Sequence, residues 1–439
     1  MDLGEALMKV CILGLWHLGA VTAACLASSG HDVVGLDFDS TVVAQLQTGQ
    51  PPLYEPGLED LIKQNLKKGR LHFSTDIVKA LDGTEVVWVT YDTPIDEEDR
   101  ADVDFVMERV TRSFPHFAAG TLVLLSSQLP VGTTQKLEQM YAAAYPGKPV
   151  TFGYSPENLR LGKAIDTFTR PDRIVVGLRS EADCQRVKEL LRPFTERIEW
   201  MSVESAEMTK HALNAFLAMS VAFVNEVATL CEEVGADAKE IERALKSDVR
   251  IGPRAYLSPG SAFAGGTLAR DILFLSEIGK AHHQPTYLLS AVRESNNAHR
   301  HWIRRRMQLL LGDLRGHAVA VLGLTYKPGT DTLRRSISIE LCEWLVEQGV
   351  LVHAHDPVVK VLPKELTQKM KLSSSPLAAL EGVSALVIGT EWPEYQSLAA
   401  EKVLSVMREP LVIDPNRFLI KTLGSDPRFR YVTIGKALL

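Results

Sequence analysis

The sequence predicts an α/β protein: two doubly wound, mostly parallel sheets joined by a long central helix. Three observations predict it. Short apolar runs alternate with helical stretches from Lys9 to Gly177, one helical pattern then continues from Val203 to about Gly235, and a second alternation begins at His317. Alternation of this kind implies parallel strands with crossover helices on both faces. At 439 residues the chain is too long for one compact core, which suggests two or three domains.

Each element has its own signal. Lys9 to Leu13 reads as a strand, Gly14 to Ser29 as a glycine turn leading into a helix rich in Ala, Val and Leu, and His31 to Asp37 as a second strand ending in an acid. Further strands are expected at Val86 to Thr90, Leu122 to Ser126, Val150 to Tyr154 and Ile174 to Gly177. In the central helix, Ala206, Ala212, Leu213, Phe216, Leu217, Val221, Val224 and Val227 are spaced for an apolar face, which can join domains and offer a dimer interface. The second half adds strands at His317 to Thr325, Val350 to His355, Ala385 to Gly389 and Leu411 to Ile413, giving boundaries of 1–200, 201–300 and 301–439. Both halves open on a strand followed by glycine, Gly14 and Gly323, a shared architecture and not evidence for two cofactors.

Composition narrows the function classes. The chain is 46% hydrophobic and 23% charged, ordinary for a globular protein, and its net charge of -6 gives no reason to expect nucleic acid or an anionic membrane as partner. Five cysteines without C-x-x-C spacing argue against a zinc site or a disulfide framework and for a reduced, cytoplasmic chain; no metal is expected. Met1 to Lys9 has acidic residues and no long apolar core, so it reads as neither signal peptide nor anchor. The apolar run Ala212 to Val224 contains Asn214 and is too short to span a bilayer.

Gly14-Leu15-Trp16-His17-Leu18-Gly19 lies between a strand and a helix, where a Rossmann-like domain carries G-x-G-x-x-G, and Asp37 follows at a distance suited to a ribose hydroxyl. The helix N-terminus would meet a pyrophosphate. Trp16 replaces the middle glycine, so its indole either points away from a cofactor or obstructs it; the competing reading is a domain that has lost its nucleotide. Acidic Asp37 favours NAD over NADP, because a 2'-phosphate would be repelled. Lys210 and Asn214 stand one helical turn apart, and polar groups on an apolar helix need polar partners. His211 beside them reads as a packing or surface residue.

Pro259-Gly260-Ser261-Ala262-Phe263-Ala264-Gly265-Gly266-Thr267-Leu268-Ala269-Arg270-Asp271 resembles the P-G-x-G-F-G-G-S-C-x-P-K-D loop of the UDP-glucose/GDP-mannose dehydrogenase family, with Thr267 at the cysteine position. Leu322 to Ser336 is similar to that family's G-L-x-F-K-P-x-T-D-D-x-R-x-S, and Pro156 to Arg160 and Arg170 to Gly177 to its P-E-F-L-R-E-G and P-D-R-I-V-I-G stretches. Leu129 to Thr134 resembles S-T-V-P-V-G-T-T, with Gln128 in place of a threonine; Asp248 to Gly252 with Tyr256-Leu257 resembles D-x-R-I-G-x-x-F-L with one residue inserted. Tyr54 to Leu58, Asp92 to Pro94, Asp356-Pro357, Thr390 to Trp392 and Asp414 to Arg417 complete the likeness.

The resemblance implies an NAD-binding domain over 1–200, a central helical dimerisation region over 201–300 and a nucleotide-sugar (UDP) binding domain over 301–439. It implies NAD as cofactor, a UDP-hexose as the leading substrate, and a homodimer or higher homo-oligomer. Around the reacting carbon it puts Glu157 as acid/base or water-orienting group, Lys210 as electrostatic stabiliser, Asn214 as positioning donor, and Thr267 and Asp271. Gly14, Trp16, His17, Leu18, Gly19, Asp37, Thr93, Gln128 and Arg334 are expected at the cofactor; Leu159, Arg250, Tyr256, Leu257, Gly265, Tyr326, Lys327 and Arg417 at the substrate; Ser336 is expected to cap a helix.

Relatives oxidise a sugar CH2OH to a carboxylate in two NAD-dependent steps, the second through a thioester on the cysteine. A threonine hydroxyl is a poor nucleophile without an adjacent base, so the expectation is a two-electron oxidation that stops at an aldehyde or ketone. The rivals are a four-electron oxidation through a hydrated aldehyde, a non-catalytic nucleotide-sugar-binding subunit, and a redox epimerase.

Overall fold

Short runs of valine, isoleucine and leucine build two sheets. The structure, a computed structural model, describes residues 8–96, 100–264 and 266–437, and the chain divides into two compact units, Met1–Leu213 and Asn214–Leu439. The first unit holds β1 (Lys9–Leu13), β2 (Asp32–Leu36), β3 (Leu71–Ser74), β4 (Val86–Val89), β5 (Leu122–Leu125), β6 (Thr151–Tyr154), β7 (Ile174–Gly177) and β8 (Ile198–Met201). They lie in the order β3-β2-β1-β4-β5-β6-β7-β8, parallel except where Tyr154 of β6 pairs antiparallel with Gly177 of β7.

The order reverses between β1 and β4, which opens a crevice at their carboxyl ends. Both faces of this sheet are covered: Val10 and Ile12 of β1 pack in one core, Cys11 and Leu13 in the other, all fully buried. That is why β1 reads as a continuous apolar run and not an alternating one. The helix His17–Ser28 lies in the Val10 core, with every residue from Leu18 to Ala27 buried.

The second unit repeats the plan with β9 (Ala318–Leu322), β10 (Leu351–His355), β11 (Met370–Leu372), β12 (Ala385–Ile388), β13 (Leu411–Ile413) and β14 (Arg430–Val432), all parallel in the order β11-β10-β9-β12-β13-β14. Its switch point falls between β9 and β12. Ser336 caps the helix Ile337–Glu347, its hydroxyl accepting from the Ile339 N–H. Four strands carried no clear sequence signal: β3, β8, β11 and β14, each of three or four residues and each the outermost strand of its sheet.

The helix Val203–Val234 is long and apolar enough, by length and composition, to cross a membrane. Yet Glu207, Lys210, His211, Asn214 and Asn225 on it are all buried, as expected of a helix with interior polar work to do. The division between the two units falls inside it, after Leu213. A further small core gathers Ala215, Ala218 and Ala222 with Ile272 and Val292 from the helices Thr267–Ala281 and Tyr287–Arg300.

Candidate functional site

At the switch point of the first sheet the chain turns tightly. Gly14 has φ +99°, and a Cβ there would stand 2.7 Å from the Tyr91 ring; one on Gly19 would stand 1.8 Å from the Gly14 carbonyl oxygen. Both glycines are therefore demanded by backbone packing. The Asp37 carboxylate accepts the Leu15 N–H at 2.7 Å and the Asp39 N–H at 3.1 Å, fixing it beside the turn.

A cavity of about 670 Å³ opens here, lined by Trp16, Asp37, Phe38, Asp39, Ser40, Val42, Tyr91, Asp92, Phe105 and Arg109. Trp16, expected either to point away from a cofactor or to obstruct it, is 46% exposed and forms a wall of this cavity together with Asp37. Burial holds the Tyr91 phenol protonated, and its hydroxyl has no hydrogen-bond partner among the described residues. The first turn of His17–Ser28 carries no acidic residue, so its positive end stays available for an anion. An acid for a ribose, an unsatisfied hydroxyl and a helix start above a glycine cradle fit a dinucleotide.

Two loops of this unit complete the arrangement. The Thr93 hydroxyl donates to the Gln128 carbonyl at 2.8 Å, which brings two residues expected at the cofactor together. Beyond Gln128, the fully buried Glu207 accepts the Gly132 N–H (2.6 Å), the Thr134 N–H (3.0 Å) and the Thr134 hydroxyl (2.6 Å), and the His211 ring meets the Leu129 carbonyl at 3.0 Å. These two residues pin the loop to the long helix. Lys210 donates to the Glu157 carbonyl, and its Nζ lies 3.5 Å from the Glu157 carboxylate. Leu159, two residues on, packs half-buried against the core under the first sheet.

The second unit holds the loop before Thr267. Asn225 accepts the Gly260 N–H at 3.0 Å, the His299 ring meets the Gly260 carbonyl at 2.9 Å, and Asn416 accepts the Ser261 N–H at 2.7 Å. Asn296 bonds both the N–H (3.0 Å) and the carbonyl (2.9 Å) of Phe263. A Cβ on Gly260 would stand 2.3 Å from the Asn416 amide oxygen, so any larger residue there would push the Asn416 side chain off the Ser261 N–H. Burial lowers the His299 pKa, opposed by its bond to Gly260 and assisted by Arg305. Gly265 lies outside the described residues. Thr267 is the exposed first residue of its helix, and one turn on the fully buried Asp271 accepts from the Asn214 amide.

A cavity of about 320 Å³ sits at the switch point of the second sheet, with Ser261, Ala262 and Ala264 of that loop on one side and Tyr326, Lys327, Arg335, Thr390, Glu391 and Asn416 among its other walls. Burial raises the Glu391 pKa, an effect opposed by Asn416. The acid that corresponds to Asp37 is Asp356, but it accepts the N–H groups of Leu324 (2.7 Å), Thr325 (3.1 Å), Val358 (3.0 Å) and Val359 (3.2 Å) and the Trp392 indole (3.1 Å). Both its oxygens hold the turn, as both oxygens of Asp37 do, with three further bonds added. The echo between the halves is thus one of architecture.

Other expected residues stand apart from these cavities. Arg250 is exposed and chelates its own neighbour Asp248 (2.7 and 3.0 Å), Tyr256 is exposed with Leu257 half-buried beside it, and Arg334 is exposed ahead of the helix Ile337–Glu347. Arg417, at φ +60°, pairs with Asp237 at 2.7 and 3.1 Å. Sequence reasoning missed Glu55, Glu207, Asn296 and His299 as site-holding residues. Glu55 lies within the Tyr54 to Leu58 segment and Glu207 within the Lys210 motif, so their places, though not their partners, could have been found.

Three models of the UDP-glucose/GDP-mannose dehydrogenase family match in order: its NAD binding domain at residues 8–195, its central domain at 204–298 and its UDP binding domain at 320–421. The chain is 34% identical over 436 residues to a UDP-glucose 6-dehydrogenase of Rhizobium meliloti, covering 98% of this chain and 100% of that one. It is 32% identical over 433 residues to UDP-glucose 6-dehydrogenase TuaD of Bacillus subtilis, covering 98% and 93%. A solved UDP-glucose dehydrogenase from the hyperthermophilic archaeon Pyrobaculum islandicum superposes with a TM-score of 0.87 at 30% identity, covering 99% of each chain.

Proposed function

The chain belongs to the UDP-glucose/GDP-mannose dehydrogenase family, and from that premise we propose that it oxidises a CH–OH group of a nucleotide sugar, a UDP-hexose first among them, and stops after two electrons. NAD, when bound, accepts the hydride. Asp37, the glycine turn and the start of His17–Ser28 hold it, with the Tyr91 hydroxyl free to bond it. Lys210 stabilises the alkoxide that develops as the hydroxyl proton leaves, and Glu157 beside it orients or accepts that proton. Asn214, steadied by Asp271, positions the sugar hydroxyl. Lys327 and Tyr326 serve the nucleotide in the smaller cavity.

The observation that carries the two-electron reading is Thr267 at the family's cysteine position on a loop that four side chains hold in place. The loop is kept while the thiol is absent from it. Four of the five cysteines are buried, and none lies on this loop, so the chain supplies no replacement nucleophile there. The test is incubation with NAD and a panel of UDP, GDP and TDP sugars, counting NADH per sugar and weighing the product. One NADH with an aldehyde or ketone is expected; two NADH with an acid would replace this reading by the four-electron one. Binding without NADH or mass change would move the assignment to a binding subunit, and an epimer without NADH to a redox epimerase.

A further inference from the structure

We propose that Glu55 is a positioning residue that ties occupancy of the cofactor turn to the placement of the loop carrying Glu157, which rests on the reading of Glu157 at the reacting carbon. The carboxylate of Glu55 is 3% exposed and takes three donors. On one side, His17 Nε2–H donates to Glu55 Oε2 at 2.9 Å, and His17 is the first residue of the helix that starts at the glycine turn. On the other, the Gly162 N–H reaches the same oxygen at 2.8 Å and the Ala164 N–H reaches Oε1 at 2.8 Å. Gly162 and Ala164 terminate the segment that begins at Pro156 and carries Glu157 and Leu159.

One buried anion thus holds two segments of the first unit that lie far apart in the chain. A buried carboxylate that loses a donor keeps its charge without compensation, so a shift of His17 is felt at Gly162 and Ala164. An anion arriving at the start of His17–Ser28 acts on the residue that donates to Glu55. The alternative, that Glu55 only caps the six-residue helix Ala164–Thr169, needs no His17 and predicts no response to the cofactor.

The test is amide hydrogen exchange of the full chain with and without saturating NAD, followed on peptides covering 156–164, for the wild type, His17→Phe and Glu55→Gln. NAD is expected to slow exchange in this segment about fivefold or more in the wild type, and to leave it unchanged in His17→Phe and Glu55→Gln when each variant is held at an NAD concentration that saturates it. His17→Phe keeps the test decisive should Glu55→Gln fail to fold, because the His17 ring lies at the margin of the buried pair. Equal protection in wild type and His17→Phe, or none in either while NAD binds, would overturn the coupling and leave the proposed reaction standing. Absence of NAD binding to the wild type would overturn the cofactor assignment and the coupling together.

Discussion

Thr267 is exposed at the first position of its helix, and a helix N-terminus is where a thiol is most readily ionised. Thr267→Cys is therefore expected to move the product from aldehyde or ketone toward acid and the yield from one NADH per sugar to two. Mass analysis of the product checks this, and an unchanged product would show that more than the thiol separates this chain from its relatives. Lys210 makes a different claim. It is buried against Glu157, and its replacement removes a fixed positive charge from the place where an alkoxide is proposed to form. Lys210→Ala is expected to lower kcat by roughly 100- to 1,000-fold with little change in KM for the sugar nucleotide. A rise in KM with kcat unchanged would instead mean that Lys210 holds ground state and transition state equally.

Among the elements, the central strands, buried on both faces, were the most legible in the sequence. The central strands β1, β4, β5, β9 and β12 are unbroken apolar runs because cores flank each sheet on both sides. Leu71–Ser74, Ile198–Met201, Met370–Leu372 and Arg430–Val432 pair on one side only and mix polar with apolar residues, so short apolar runs could not reveal them. The site divides in the same way. Lys210, Asn214 and Asp271 were nominated by their motifs, whereas Glu207 and Glu55 bond backbone N–H groups 75 and 107 residues away, a pairing that only the fold creates.

The loop of Gly260 to Phe263 depends on such pairings. Asn296→Ala would strip both bonds from Phe263 and is expected to cost about 1–3 kcal/mol of loop order, read as faster amide exchange over 259–264. His299 adds a pH dependence. Its folded pKa is lowered by burial from the ordinary 6.5, so the unfolded chain takes up the proton first and stability, complete above that value, falls as the pH drops below it. His31, His353 and His355 are lowered for the same reason. The thermal midpoint is thus expected to decline from pH 7 to pH 5, and His299→Gln to decline less steeply; parallel curves would remove His299 from the account.

At the scale of the whole molecule, the exposed face of Val203–Val234 is the feature that the single chain leaves without explanation. Phe216, Phe223 and Leu230 follow one another at seven-residue intervals and are 61%, 50% and 65% exposed. Two helical turns separate each pair, so they form one apolar stripe. Side chains of this size left in water forgo about 1.5–3 kcal/mol each, and a stripe of them marks an interaction surface. A second copy of the chain is the partner proposed for it, since a long helix presenting a self-complementary stripe suits a two-fold interface. Phe223→Glu is expected to shift the protein from dimer to monomer in sedimentation velocity without lowering the thermal midpoint of the isolated chain, because the residue lies outside the cores that hold each unit. A wild type that sediments as a monomer at every concentration would overturn the assignment and leave the stripe to another partner.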